Sequence, residues 1–248
     1  MNIAKKKRGS DWNYGGYKWK LSRSKIDLFV ECPRCFYLDN KFGYARPKFP
    51  PFNLNSAVDT LLKKEFDKYR RDKTAHPLMQ EYKIDAVPFA HPKLDEWREN
   101  FVGMQYYHAE TGMTISGAID DVWVNPKGEL HIVDYKSTSK EEEITLDDEW
   151  KNSYKRQMEV YQWLFRKAGF EVAEKGFFVY ANGDTSVEDF NAKLEFDMTV
   201  LEHVGDAEWV EPTIFAIKET LEKDELPGSG KNCEHCQYHY ARIEVKDN

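Results

Sequence analysis

No stretch of this sequence stays apolar for the ~20 residues needed to cross a bilayer, so no membrane-spanning helix and no membrane partner are expected. The N-terminus is charged and lacks the apolar segment of a secretory signal, which makes a cytoplasmic protein the expectation. Repeats, low-complexity tracts and long linkers are also missing, so residues 1–248 read as a single domain with a basic N-terminal arm over about 1–20. An excess of basic charge is absent too. The net charge is −7, which removes any global electrostatic case for nucleic acid. It does not exclude a local one, because a metal-using site is itself acidic and a strand needs only a basic strip. Cysteine is scarce: there are four, in two pairs, with none left over.

What is present describes a folded chain. Apolar residues make up 41% and aromatic residues 15% of the sequence, more than a disordered segment carries. Lys5, Lys6, Lys7, Arg8, Lys18, Lys20, Arg23 and Lys25 crowd the start, with Trp12, Tyr14, Tyr17 and Trp19 among them. Such rings suit stacking on bases; for Lys5 to Arg8 a solvated tail is an equal reading.

Hydrophobic periodicity supplies the elements. Ser24 and Asp27 resemble a capping box opening a short helix through Ile26, Leu28, Phe29 and Val30, which delivers Cys32. Asn55 suits the N-cap of a helix to about Arg71, with Val58, Leu61, Leu62, Phe66 and Tyr69 at helical spacing. From Met113 the period becomes that of a strand: 113–117 and 118–124 read as extended, Asn125 to Gly128 as a turn, and 129–136 as the partner strand. A helix follows from about Trp150 to a stop at Gly169, then strands at 175–180 and 194–201 and a last helix at 209–222. Helix, meander, helix and strand make an α/β fold with a mixed central sheet flanked by helices.

Asp120 and Asp134 fall on the two strands joined by the turn, where a hairpin brings such positions within reach of each other. The turn does not fix the register, and a slip of one residue exchanges Asp121 for Asp120. Lys136 is two residues beyond Asp134 and shares its face. Two carboxylates beside an ammonium offer hard oxygen ligands for Mg²⁺ or Mn²⁺ and a cation able to steady developing negative charge. Gln157 and Tyr161 are i and i+4, on one face of the following helix.

Gly117-Ala118-Ile119-Asp120, then Ile132-Val133-Asp134-Tyr135-Lys136, then Gln157-Met158-Glu159-Val160-Tyr161 together resemble the PD-(D/E)XK nuclease superfamily. Within it the sequence is similar to the RecB-like branch, which includes the nuclease domains of helicase–nuclease complexes and CRISPR-associated exonucleases. The resemblance implies a restriction-endonuclease-like core. It implies Asp120, Asp134 and the Tyr135 carbonyl as metal ligands, Lys136 as the catalytic lysine, and Gln157 and Tyr161 lining the site. That branch carries a metal-binding histidine on an upstream helix; Asp59 stands at that place here and is the expected third acidic ligand, with a helix-dipole role as the alternative.

The C-x-x-C pairs Cys32–Cys35 and Cys233–Cys236 suit a metal site in a reducing compartment. The first is similar to a segment of iron–sulfur nucleases in the same branch, whose usual pattern is one early and three late cysteines. Two and two leaves open a [4Fe–4S] cluster or tetrahedral Zn²⁺, either one joining the termini. The expected function is metal-dependent hydrolysis of phosphodiester bonds in DNA, exonucleolytic or directed at single strands or duplex ends, in repair, recombination or CRISPR-type processing. No G-x-x-x-x-G-K-[ST] motif is present, so unwinding would have to come from a helicase partner or another DNA-processing protein. The competing readings are a catalytically inactive nucleic-acid-binding module and a zinc-clasped interaction protein.

Overall fold

The computed structural model describes residues 8–47, 50 and 52–245. Lys5, Lys6 and Lys7, at the head of the basic arm, lie outside the described residues, as does Pro51. In chain order the elements begin with β1 (Leu21–Ser22), α1 (Arg23–Glu31), α2 (Pro33–Phe42), α3 (Asn53–Asp72), α4 (Pro77–Glu81) and β2 (Val87–Pro88). They continue with α5 (Leu94–Arg98), β3 (Met104–His108), β4 (Met113–Gly117), β5 (Asp121–Val124) and β6 (Leu130–Thr138). The last are α6 (Asn152–Lys167), β7 (Lys175–Gly183), β8 (Phe196–Val204), α7 (Val210–Glu222) and α8 (Glu234–Glu244). Among the described residues no helix is long and apolar enough to cross a membrane.

The chain forms two compact units. One is drawn from the described residues of Met1–Pro50, Tyr107–Ser116 and Glu208–Asn248, the other from those of Pro51–Tyr106 and Gly117–Ala207. The second unit carries a five-stranded sheet of order β2-β5-β6-β7-β8. It is mixed, as expected: β5 and β6 are antiparallel, β6 and β7 parallel, β7 and β8 antiparallel. The period of two along β6 sorts its side chains between helices. Val133 and Tyr135 join the core cluster that Val58, Leu62 and Phe66 of α3 enter, whereas Asp134 turns to α6, where Gln157 reaches it. Gly176 on β7 lets α6 approach closely, since a Cβ there would lie 2.4 Å from the Met158 sulfur.

β5 begins at Asp121, opposite Val133. β6 therefore runs on past its antiparallel neighbour from Asp134, while its other edge stays paired with β7 out to Thr138. This one-sided strand end is the feature on which the site is built.

The other unit packs α1, α2 and α7. Val210, Ile214, Ile217 and Leu221 form the buried stripe of α7, at the helical spacing of one apolar face. β1 runs parallel to β4, with Leu21 opposite Ile115, in a three-stranded sheet of order β1-β4-β3.

Several boundaries differ from the sequence reading. The extended run 113–124 is split between two sheets, with Ala118 to Asp120 outside either strand. Asp120 thus precedes β5 instead of lying on it. α1 is capped by Ser22, without a side-chain cap bond, so the capping box at Ser24 does not form. α3 starts three residues earlier than expected, at Asn53, with Phe52 and not Asn55 as its N-cap. Asp59 then sits beyond the first turn, where the pull of the helix dipole has faded.

Candidate active site

Asp134 is buried at 1% exposure and lies on the α6 face of β6. Its Oδ1 accepts from Gln157 Nε2 at 2.6 Å, and its Oδ2 pairs with the Lys136 ammonium, two residues on. Lys136 stands 4.3 Å from the centre of the Tyr154 ring. Burial alone would lower the Lys136 pKa, but the carboxylates of Asp134 and Asp120 outweigh it and raise the value above that of a free lysine. With these carboxylates beside it, Lys136 is held as a cation. Gln157 Nε2 also lies 3.3 Å from the Tyr161 hydroxyl, so the i, i+4 pair reads as one positioning unit for the Asp134 carboxylate.

Gly117 explains how Tyr161 comes so close to the strand that leads to Asp120. A Cβ at Gly117 would sit 2.6 Å from Tyr161 Cε1 and 3.1 Å from Leu164 Cδ1. Gly117→Ala is expected to cost about 1–3 kcal/mol through overpacking, seen as a fall in Tm of about 2–12 °C. The displaced ring should loosen Gln157 as well. An unchanged Tm would show that this packing contributes nothing to the fold around Asp134.

Asp120 lies at the free edge of β6. Its Oδ2 accepts from the Tyr135 amide at 2.9 Å, and its Oδ1 is 3.2 Å from Lys63 Nζ. Lys63 also pairs with Asp59 at 2.8 Å, so two carboxylates converge on one ammonium. Burial, and then the Asp120 charge, hold the Asp59 carboxyl above its usual range. Within a strand the amide and carbonyl of one residue point to the same edge; the Tyr135 carbonyl therefore faces the same open side as its amide. Asn55 Nδ2 donates to the Ser137 carbonyl at 3.2 Å on that side. Asp59, Lys63, Arg98, Asp120, Lys136 and Tyr154 all border an open cleft of ≈ 360 Å³.

Asp121, the alternative left open by the register, has other work. It is fully buried and accepts from Tyr135 Oη at 2.6 Å, Arg98 Nη2 at 3.1 Å and its neighbour's amide at 2.8 Å. Arg70 pairs with it too, and Asp67 bridges both arginines. Arg98 Nε in turn donates to the Asp120 carbonyl at 2.9 Å. This network fixes the backbone from which Asp120 projects. Removing one partner from such a buried set typically costs ~3–5 kcal/mol.

Asp120, Asp134, Asp59 and the Tyr135 carbonyl are all hard oxygen donors, the chemistry Mg²⁺ and Mn²⁺ take. The three carboxylates do not gather into a tight set. Among the described residues, only the four cysteines bring three or more acidic, His or Cys ligand atoms within 4.8 Å of one another. Lys63 and Lys136 instead supply the positive charge the carboxylates require. Sequence reasoning passed over Lys63, Arg98 and Tyr154. Lys63 was legible as the i+4 partner of Asp59; Arg98 sits in a short helix between Pro92 and an irregular stretch, which carries no periodic signal.

The four cysteines meet in the other unit. Cys32–Cys236 is 3.8 Å, Cys35–Cys233 3.6 Å and Cys35–Cys236 3.7 Å between sulfurs, far beyond the ~2.05 Å of a disulfide. All four are buried. Cys32 caps α2, with Pro33 in its first turn, and Cys233 caps α8, so each pair sits at the positive end of a helix, which favours thiolate. Burial would raise the Cys32 pKa, but the amides of Gly230 and Cys35 bring it down to about 7. Cys35 is pushed up to about 11 by burial. Arg46 Nη2 lies 3.2 Å from the Cys233 sulfur. At Gly230 a Cβ would lie 2.0 Å from the Glu31 carbonyl oxygen, so that loop reaches Cys32 only as glycine.

A family model described as the PD-(D/E)XK nuclease superfamily matches residues 20–241. Comparison with curated proteins gave no match. Among solved structures, the chain is similar to one described as "Crystal structure of SSO0001", at 13% identity and a TM-score of 0.30, covering 88% of this chain and 91% of that one.

Proposed function

The chain belongs to the PD-(D/E)XK nuclease superfamily, and from that premise we propose that it is an active metal-dependent nuclease hydrolysing phosphodiester bonds in DNA. One observation carries the reading: beyond β5, the free end of β6 presents Asp134, the Tyr135 carbonyl and Lys136 beside Asp120. Asp120, Asp134 and the Tyr135 carbonyl would hold Mg²⁺ or Mn²⁺, with Asp59 as a further ligand. Such an ion, when bound, polarises phosphate and lowers the pKa of coordinated water. Gln157 fixes the orientation of the buried Asp134 carboxylate. Lys136 supplies a fixed positive charge where negative charge develops on the phosphate oxygens. The Arg98–Asp121 network holds the Asp120 backbone rigid, so that little reorganisation is left for the reaction itself.

The matched range spans both units, which supports treating the chain as one nuclease domain. At the cysteines, a single tetrahedral ion with bonds of about 2.3 Å would space its thiolates about 3.8 Å apart. The sulfur separations match that spacing, whereas a [4Fe–4S] cluster ties each thiolate to a separate iron and holds them wider. We therefore favour Zn²⁺ over iron–sulfur.

The test is cleavage of labelled single-stranded and duplex DNA with Mg²⁺, with Mn²⁺ and with a chelator. Cleavage that requires either metal supports the reading, and a preference for free ends or for one substrate assigns exonuclease or single-strand action. DNA left intact under every metal condition, by protein that binds it, would favour the inactive binding module.

A further inference from the structure

A larger cavity of ≈ 490 Å³ lies between α2, the segment after it, and α8. Cys35 and Cys236 reach its wall, but most of its lining plays no part in holding the thiols. Three features set it apart. First, Arg34, Arg46 and Arg242 line it and, among the described residues, no aspartate or glutamate does, in a chain of net charge −7. Arg46 is answered by Glu31 at 2.6 Å, which leaves Arg34 and Arg242 as the cavity's cations with no carboxylate on its wall among the described residues. Second, its rim is aromatic and open: Tyr44, Tyr238 and Tyr240 are 45%, 69% and 39% exposed. Third, part of it is held ready. Arg34 donates from Nε to the Pro227 carbonyl at 2.9 Å, bonds the Tyr240 hydroxyl, and lies 5.7 Å from the centre of that ring.

We propose that this cavity binds an unpaired base of a nucleic-acid strand, with its tyrosines against the base and Arg34 and Arg242 toward the flanking phosphates. Exposed rings beside such arginines are what single strands use, because every base has a π-face and every nucleotide a phosphate. An apolar peptide would need neither arginine, and a bare phosphate would need none of the rings. The inference rests on the nuclease reading for its class of ligand, but it concerns residues that reading does not use.

The experiment uses the full-length chain with its cysteine site loaded as purified, carrying Asp134→Asn so that the probe survives. Binding of a short fluorescein-labelled oligothymidylate is compared with that of an abasic oligomer of equal length, which keeps the phosphates and lacks the bases. Tyr238→Ala should weaken the oligothymidylate about tenfold and leave the abasic oligomer unchanged. Arg242→Ala should weaken both and reduce the slope of log affinity against log salt by about one. Both side chains are exposed, and an unaltered Tm would show that the fold is kept. Parental affinity for the oligothymidylate in both variants would overturn the proposal, as would equal losses for the two probes in Tyr238→Ala. If the cavity fails in this way while the chain with Asp134 intact still cleaves DNA, the nuclease reading stands alone. If the variants behave as expected and no metal supports cleavage, the cavity stands and the catalytic reading falls.

Discussion

Asp134→Asn should abolish metal-dependent cleavage in a chain that stays folded, and Lys136→Ala should cut turnover by a factor of about 10² or more while metal still binds. Asparagine is the informative replacement at 134. The carboxylate is buried and paired with Lys136, so alanine would take the nearest carboxylate from a half-buried ammonium and leave a gap in the core as well. Asparagine keeps the shape, and Asp120 still offsets part of the lysine's charge. Lys136→Ala removes the ammonium that competes for the Asp134 oxygens. Metal affinity should therefore hold or rise as turnover falls, which separates a charge acting on the reaction from a ligand. Isothermal titration with Mn²⁺ and single-turnover cleavage read the two effects independently. Wild-type cleavage by Asp134→Asn under matched conditions would show that the site lies elsewhere.

Replacing any one of Cys32, Cys35, Cys233 or Cys236 by serine should release the bound metal and lower Tm by about 6–20 °C. That range takes the lost stability at about 3–5 kcal/mol, a fraction of the binding free energy of a structural zinc, and converts it at the usual rate for a chain of this size. The pairs are 198 residues apart at Cys35 and Cys233. Closure entropy grows slowly with such length, so most of the loss should come from α8, whose only buried residue is Cys236. With nothing else buried along it, α8 depends on the sulfur site for its docking. Asp120 and Asp134 belong to the other unit and should keep their chemistry wherever the variant stays folded. Colourless protein with one equivalent of zinc would agree with the sulfur spacing, and brown protein with visible absorption would assign iron–sulfur. Metal-free protein with four freely titrating thiols and an undiminished Tm would remove the clasp altogether.

The parts of this architecture legible in the sequence are those in which one local period decides the outcome. Asp134 and Lys136 share a face because they are two apart on one long strand. Gln157 and Tyr161 share one because they are four apart on a helix, and the two C-x-x-C pairs state their own pairing. Asp120 against Asp121 was not legible, since the choice depends on where β5 begins, and that is set by the arginines that bury Asp121. The division of 113–124 between two sheets was hidden for a similar reason: both halves look extended, and only long-range partners separate them. Around Pro77, Pro88 and Pro92 the elements are too short for any period to appear. α8 escaped notice because a helix with one buried residue has no apolar stripe to read.

The order in which the chain is made bears on the sulfur centre. Cys32 and Cys35 are synthesised early, and Cys233 follows Cys35 by 198 residues. At ~5–20 residues per second, the first pair waits about 10–40 s for the second. For that interval a nascent chain carries half a metal site, two thiols at the start of a helix with nothing opposite them. The five-stranded sheet, encoded wholly between the pairs, can be complete before the second arrives. The sulfur site can then close only after every strand of that sheet has been made, and until it does the half-site is open to oxidation or to capture of a wrong metal.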